Sequence, residues 1–246
     1  MAIEVEFTGE VDRTLPHAEL DGTDIDVRLN RYREQMVANS MFQKHVLADE
    51  GSYFTTNNAQ TGLATAAAPT AFSSTNPFIL IYNASAPSDD FALRYYIDQL
   101  VLCCTAAGTA ATSIQLAITL DRGNRYSSGG TDLTSGIRNV TQAVSRASAA
   151  RIYAGNITAS AATANARTVV GNRFLKGAIG VAGDTYTIAP GSGDMGTTIS
   201  ASTSVYSTNN VPPLVLGPDE SMLIHLWFPA QSAASSYLPE VTWYER

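Results

Sequence analysis

The sequence predicts a mainly β protein: an antiparallel β-sandwich preceded by an acidic N-terminal arm and one amphipathic helix. After residue 75, short runs of branched and aromatic residues alternate with turn-forming clusters, which is typical of a sandwich or barrel. Charge also divides the chain near Gly51. Residues 1–51 contain 11 acidic and 5 basic residues, whereas residues 52–246 contain 11 and 10. A chain of 246 residues is long enough to bury a full core in one β domain.

The first predicted element is an acidic arm over residues 1–24. Ile3, Val5 and Phe7 alternate with glutamates, a pattern sufficient for one strand added to the edge of another sheet. Two interpretations stay open. The segment is either an arm that becomes ordered on another subunit, which it contacts through these three apolar residues, or an acidic solvated tail.

The second predicted element is a helix over residues 25–48, which Gly51 can end. Its apolar residues recur at spacings of four, three and four, which is one stripe of a 3.6-residue helix. The stripe either covers the core of its own domain or binds a partner protein. We place the domain boundary at Gly51, so residues 1–51 are the arm and helix and residues 52–246 are the sandwich. The stripe consists of Ile25, Leu29, Tyr32 and Met36.

Ten strands are predicted in the body, after a connector over residues 51–75. Residues 127–130 are interpreted as a turn, and residues 137–150 as either a short helix or an irregular crossover. The predicted strands cover residues 78–82, 95–105, 113–120, 151–158, 174–180, 185–188, 204–206, 214–216, 222–228 and 240–244.

Residues 212–228 are predicted to form a hairpin around which the body is organised. Proline at the second position of the Gly217-Pro218-Asp219-Glu220 turn favours a type I turn. Residues 222–228 are apolar on both faces, so this strand is predicted to be central in the sandwich. Residues 240–244 are expected to return to the same sheet system, and His225 is expected to be a hydrogen-bonded core residue.

The sequence shows no catalytic or metal-binding pattern, so we predict no enzyme, no catalytic residue, no cofactor and no metal. The histidines lie far apart without ligand-spaced neighbours. Asp89-Asp90 and Asp219-Glu220 are adjacent acids in turns, whereas paired acid–base catalysis needs carboxylates that face each other across a cleft. Residues 121–125 are interpreted as a hairpin end with an internal ion pair rather than as a phosphate clamp.

Composition favours protein partners. Only two of the 15 basic residues are lysines, and lysine is depleted from protein interfaces, although an organism-level bias would give the same count. The net charge of −7 argues against nucleic acid as the main partner. No signal peptide or membrane-spanning run is found, so no membrane partner is expected.

Cys103 and Cys104 are adjacent in a strand and are predicted to be buried free thiols, as in a reducing cytoplasm.

Motifs at both ends of the chain carry a family resemblance. They are Arg31-Tyr32-Arg33-Glu34-Gln35-Met36, the segment 44–54, Val215-Leu216-Gly217-Pro218, His225-Leu226-Trp227-Phe228-Pro229 and Trp243-Tyr244-Glu245-Arg246. In these motifs the chain resembles a family of tailed-bacteriophage virion proteins. The resemblance implies a capsid decoration or cement protein with a jelly-roll β-sandwich, located on the virion head after assembly in the host cytoplasm. The implied partners are the major capsid protein and the chain's own copies, as a homotrimer.

Two functions from other classes stay open. The first is a tail or fibre component that binds a host cell-surface glycan, although the long repetitive shaft typical of fibres is absent from the sequence. The second is a cupin-type enzyme, against which the single histidine of the body argues. The aromatic residues that would form a stacking platform for a glycan are Tyr126, Tyr153, Tyr206 and Tyr237.

Overall fold

The computed structural model describes residues 43–59, 61–66, 69–86, 93–141, 146–191, 198–199 and 211–246. In this part the protein is mainly β, with two antiparallel sheets packed together. The chain divides into two compact units, Met1–Val46 and Leu47–Arg246, and nearly all of the described residues belong to the second. The arm and the boundary predicted at Gly51 stay predictions.

The described elements, in chain order, are one α-helix, fourteen strands and a short 3-10 helix at Thr134–Gly136. Their bounds are α1 (Gln43–Asp49), β1 (Tyr53–Asn57), β2 (Leu63–Ala64), β3 (Ile79–Asn83), β4 (Tyr95–Ala106), β5 (Ile114–Arg122), β6 (Tyr126–Asp132), β7 (Arg138–Asn139), β8 (Ala150–Ala159), β9 (Arg167–Lys176), β10 (Thr185–Ile188), β11 (Thr198–Ile199), β12 (Leu214–Leu216), β13 (Glu220–Trp227) and β14 (Ser236–Glu245).

The strands form one sheet of eight strands and one of six. The first sheet has the order β11-β10-β4-β14-β1-β7, with β12 also paired to β4 and β2 to β14. The second sheet has the order β6-β8-β3-β13-β5-β9. The long strands β4 and β14 pair at the centre of the first sheet, and β13 lies between β3 and β5 in the second.

The main core lies between the two sheets, because alternate side chains of each strand point inward. In the second sheet β13 contributes Met222, Ile224 and Leu226, all of them buried. In the first sheet the Trp243 ring of β14 stacks on Phe54 of β1, with ring centroids 5.9 Å apart. Full burial of one such large apolar side chain stabilises the fold by about 1.5–3 kcal/mol.

The helix α1 ends at a left-handed glycine. Gly51 has a φ of 71°, its N–H donates to the carbonyl of Ala48, and the N–H of Ser52 donates to the carbonyl of Leu47. This pair of bonds is a Schellman motif, in which glycine is favoured because it has no Cβ. The predicted end at Gly51 is confirmed, whereas most of the helix predicted over residues 25–48 lies outside the described residues.

Most of the predicted strands agree with the structure. Residues 185–188 and 214–216 match β10 and β12, and six others match to within four residues at either end. The strand predicted at 174–180 has the wrong bounds, because β9 covers Arg167–Lys176. The strand predicted at 204–206 lies outside the described residues. The turn predicted at 127–130 is wrong, because these residues lie in β6. In the described part of residues 137–150 there is no helix.

The hairpin predicted over residues 212–228 is wrong. β12 pairs with β4 in the first sheet, whereas β13 belongs to the second, so the turn between them carries the chain across the sandwich. Asp219 has a φ of 54°, which excludes the predicted type I turn. The central position of residues 222–228 is confirmed, because β13 has a paired neighbour on each side and is apolar on both faces. Residues 240–244 lie in β14, in the sheet opposite β13.

Candidate interaction surfaces

The residues predicted to bind a partner lie outside the described part of the chain and therefore stay predictions. They are Ile3, Val5, Phe7, Ile25, Leu29, Tyr32 and Met36. The candidate functional surfaces described below belong to the β body.

His225 lies on the outer face of the second sheet, where the rest of the chain covers it. It is buried, its Nε2 atom shares a hydrogen bond of 3.0 Å with the Thr119 hydroxyl, and the ring of Phe72 packs against it at 4.9 Å. Burial lowers the pKa of the imidazole to about 4, so the ring is neutral near pH 7. The buried and hydrogen-bonded environment predicted for His225 is confirmed.

The four tyrosines predicted to form a stacking platform are not arranged as one. Tyr237 is only 1% exposed and packs in the core against Phe78 and Phe228, because its position in β14 points inward. Tyr126 and Tyr153 stack on each other, with centroids 3.7 Å apart and ring planes 7° apart, so each covers one face of the other. Tyr206 lies outside the described residues. The prediction of a four-residue platform is wrong.

The ion pair predicted within residues 121–125 is confirmed. The Arg125 guanidinium lies 2.5 Å from Asp121 Oδ2, and both side chains are buried. Burial alone would raise the pKa of the Asp121 carboxyl, but bonds from Thr163 and Arg125 lower it overall. The predicted hairpin is wrong, because β5 and β6 lie on opposite sides of β13 in the second sheet and do not pair.

The outer face of the second sheet also carries a row of aromatic side chains, which we call the aromatic row: Phe72, Trp227 and Phe174, with Gln115 between the last two. Trp227 pairs with Gln115 across β13 and β5, and Gln115 pairs with Phe174 across β5 and β9. Directly paired residues in an antiparallel sheet point to the same face. The Phe72 ring meets the Trp227 ring edge-on at 5.7 Å.

Exposure differs strongly along the aromatic row. Trp227 is 7% exposed, whereas Phe72 and Phe174 are 45% and 56% exposed. Large apolar side chains that are clustered and open to solvent are typical of protein contact surfaces. Because β13 is apolar on both faces, its sequence predicts that the outer face is shielded from solvent. The sequence prediction missed the contribution of Phe174, because it depends on the pairing of β9 with β5.

A polar cleft lies at the turn that crosses between the sheets. It has a volume of about 420 Å³, and a neighbouring recess of about 190 Å³ shares two of its lining residues, Arg122 and Glu220. Arg94 lines the larger part and Arg167 the smaller. We call the combined feature the arginine cleft. Sequence reasoning missed it, because its residues come from four separate segments of the chain.

The remaining chemical features of the described residues are few. Cys103 and Cys104 are free thiols; Cys104 is buried and Cys103 is partly exposed. No group of three or more His, Cys, Asp or Glu side chains in the described part is placed to hold a metal ion. Among the same residues no helix has the length and apolar character needed to cross a membrane.

Comparison with known proteins gave no match: no family model matches the chain, and neither the search of curated proteins nor that of solved structures found a significant similarity.

Proposed function

We propose that the protein is a non-enzymatic structural protein of a bacteriophage virion, and specifically a capsid decoration or cement protein that binds across capsid subunits. The observation that carries the proposal is the order of eight strands. In chain order these are β1, β3, β4, β5, β9, β10, β13 and β14. When they are lettered B to I, the two sheets have the orders B-I-D-G and C-H-E-F.

We take this order as support for a jelly roll, in which two Greek keys fold into a double sheet. Jelly rolls occur in viral capsid proteins, and also in lectins and cupins. The motifs at both ends of the chain resemble phage virion proteins, which favours the first of these classes. The strands β6, β7 and β8 are then an insertion between the fourth and fifth strands of the jelly roll.

The surface of the body supports contact with other proteins. Phe72 and Phe174 expose large apolar area on the outer face of a sheet whose strands are fixed by pairing on both sides of β13. A rigid face with apolar side chains can bind a lattice without the entropy cost of ordering a loop. The partners we propose are the major capsid protein and other copies of this chain, arranged as a homotrimer around a capsid junction.

Cryo-EM of whole particles tests this function. We expect density for the β-sandwich at many symmetry-related positions on the head. Absence of the protein from purified particles would contradict the proposal. Density only at the tail, at low copy number, would support the alternative of a tail or fibre component that binds a host cell-surface glycan.

A truncated protein tests the role of the N-terminal segment. Removal of residues 1–46 leaves the second compact unit, which starts at Leu47. We expect this variant to fold, with a circular dichroism spectrum typical of β structure, and to lose binding to heads that the full chain retains. Equal binding by the two proteins would exclude the arm from attachment.

A further inference from the structure

We propose that the free edge of β9 binds a further strand, formed by residues 2–8 of a second copy of this chain. β9 is a described strand of the second sheet, and residues 2–8 are the segment in which apolar residues alternate with glutamates. The choice of a second copy as the donor rests on the proposed homotrimer. The added strand would be the contact that holds neighbouring copies together.

β9 has the longest free edge in the described part of the chain. It is 10 residues long and pairs with β5 alone. The other described strands with a single partner range from two residues in β2 to seven in β6, and β6 contains two glycines with positive φ. An edge strand presents unpaired N–H and C=O groups, to which the backbone of another strand can bind.

Bulges in β9 decide where a further strand can lie. Three register shifts occur along its pairing with β5. Arg173 and Phe174 lie between two of these shifts, in unbroken pairing with β5. Because a bulge bends the strand that contains it, we expect the added strand to be centred on these two residues.

Arg173 and Phe174 give the two sides of this edge different chemistry. Arg173 pairs with Leu116, a residue of the main core, so it lies on the inner side of the sheet. Phe174 lies on the outer side, in the aromatic row, and is 56% exposed. Arg173 is also exposed. An added strand would therefore have a cation beside one of its faces and an apolar side chain beside the other.

Residues 2–8 carry the complementary pattern. A strand places alternate residues on opposite faces, so Glu4 and Glu6 share one face and the three apolar residues of the segment share the other. When the glutamates lie beside Arg173, the apolar side chains lie beside Phe174 and extend the aromatic row. A shift of one residue would place glutamates against Phe174, so the pattern selects one orientation of the added strand.

The charge of β9 is basic, and two of its arginines lack partners in the described fold. The strand contains three basic residues and no acidic one. Lys176 is paired with Asp184 at 2.6 Å. Within the described residues, Arg167 and Arg173 form no salt bridge and no side-chain hydrogen bond, and both are exposed. Residues 2–8 contain two acidic residues and no basic one, which matches these two charges.

The acidic residues near Arg167 are balanced by other arginines. Asp121 and Glu220 line the recess that Arg167 also lines. Asp121 forms its ion pair with Arg125, and Glu220 lies directly opposite Arg122 across β13 and β5. The positive charge of Arg167 at the end of β9 is therefore not cancelled by this pair of acids.

The donor segment and the edge of β9 are different surfaces, so the contact between copies is head to tail. Contacts of this kind close into a ring when the rotation from copy to copy fits. In a homotrimer each copy would donate one strand and bind one. The edge of every copy is then paired, which removes an exposed template for aggregation.

Binding of a fluorescent peptide of residues 1–10 to the full chain, followed by anisotropy, measures the contact at the edge. We expect the Arg167→Glu/Arg173→Glu variant to bind the peptide at least about tenfold more weakly, because like charges then face each other. Arg151→Glu is the matched control, since Arg151 is exposed and lies in β8, on the opposite side of β13 from β9. This variant should bind like the wild-type protein.

A second peptide separates strand addition from simple attraction between charges. N-methylation of both Val5 and Glu6 keeps every charge and side chain, but it removes two adjacent N–H groups, of which one faces β9 in an added strand. We expect this peptide not to bind. Its binding with unchanged affinity would contradict the addition of a strand.

Sedimentation velocity of the full chain tests whether the strand comes from another copy. We expect the wild-type protein to self-associate and the Arg167→Glu/Arg173→Glu variant to sediment as a monomer. Adding Glu4→Arg and Glu6→Arg to that variant exchanges the two charges and should restore association. An edge that binds the segment of its own chain would give a monomer for all three proteins and would overturn the choice of a second copy.

The remaining outcomes also decide the matter. Equal peptide binding by the double variant and Arg151→Glu would overturn the proposal, and so would failure of the exchanged charges to restore association. A wild-type protein that binds no peptide would show that the bulges and charges of β9 block strand addition. If the double variant does not fold, the two peptides decide on the wild-type protein. Particle location is measured separately, so the virion function and this contact can fail independently.

Discussion

At the scale of single residues, His225 makes stability depend on pH. Its pKa is about 4 in the folded protein because the ring is buried, whereas an unfolded histidine titrates near 6.5. The unfolded chain therefore binds a proton more readily. The contribution of neutral His225 to stability is fully present above pH 6.5 and is lost as the pH falls from about 6.5 to about 4.

Replacement of this histidine should remove that dependence. Between pH 7.5 and pH 4 we expect the wild-type protein to lose roughly 3 kcal/mol more of its free energy of unfolding than His225→Gln. Urea denaturation at four pH values measures the difference. Glu245, whose pKa burial raises, titrates in both proteins and cancels in the comparison. Parallel pH profiles for the two proteins would show that His225 is not the group responsible.

Arg125 joins three separate parts of the chain. It pairs with Asp121 and donates to the backbone carbonyls of Ser160 and Ser74. Removing it leaves the buried Asp121 carboxylate without its counter-charge. We expect Arg125→Ala to lower the free energy of unfolding by about 3–5 kcal/mol. The neighbouring Arg122→Ala, whose side chain is exposed, should change it by less than about 0.5 kcal/mol, and similar losses in both variants would contradict this role.

At the scale of elements, the sequence predicts strands well where apolar residues dominate. β12 and β13 are short, mainly apolar runs with turn residues at both ends, and β10 reads Thr-Tyr-Thr-Ile, all residues favoured in strands, so their positions were predictable from composition alone. β6 reads Tyr-Ser-Ser-Gly-Gly-Thr-Asp and has no apolar pattern, so it resembles a turn. It becomes a strand through its pairing with β8, between residues that are 21 or more positions apart in the chain, which local sequence does not reveal.

The glycines that make β6 look like a turn are required by its pairing. Gly130 has a φ of 67°, and a Cβ at this position would lie 2.8 Å from the carbonyl oxygen of Ala154 in β8. We expect Gly130→Ala to cost about 1–3 kcal/mol in thermal or urea unfolding. Gly171→Ala in β9 is the matched control, because no heavy atom lies within 4 Å of its Cβ position. Gly171→Ala should be neutral or slightly stabilising. An equal loss of stability in both variants would contradict the explanation by the positive φ of Gly130.

At the scale of the whole molecule, the interaction surfaces depend on which strands become neighbours. Trp227 and Phe174 are far apart in sequence and share one face because β13, β5 and β9 are adjacent in the second sheet, and Phe72 packs on Trp227 from outside these strands. The arginine cleft forms where the chain crosses between the sheets after β12. Periodicity predicts which residues of a strand share a face, but it does not predict sheet order. The sandwich was therefore predictable from the sequence, whereas the aromatic row and the cleft were not.

The exposed end of the aromatic row distinguishes a role in folding from a role in binding. Phe174 lies on the edge strand β9 and is 56% exposed, so Phe174→Ser should change the free energy of unfolding by less than about 0.5 kcal/mol. If the row contacts the capsid lattice, the same change removes apolar area from that interface, and we expect binding to particles assembled without the protein to weaken about tenfold.

Val140→Ser is the matched control, since Val140 is 44% exposed and follows β7 at the edge of the first sheet. It removes an apolar side chain of comparable exposure from the other sheet and should bind particles like the wild-type protein. Equal weakening by both variants would indicate general surface hydrophobicity rather than a contact at this face. Unchanged binding by Phe174→Ser would exclude the aromatic row from the interface and leave attachment to other surfaces of the chain.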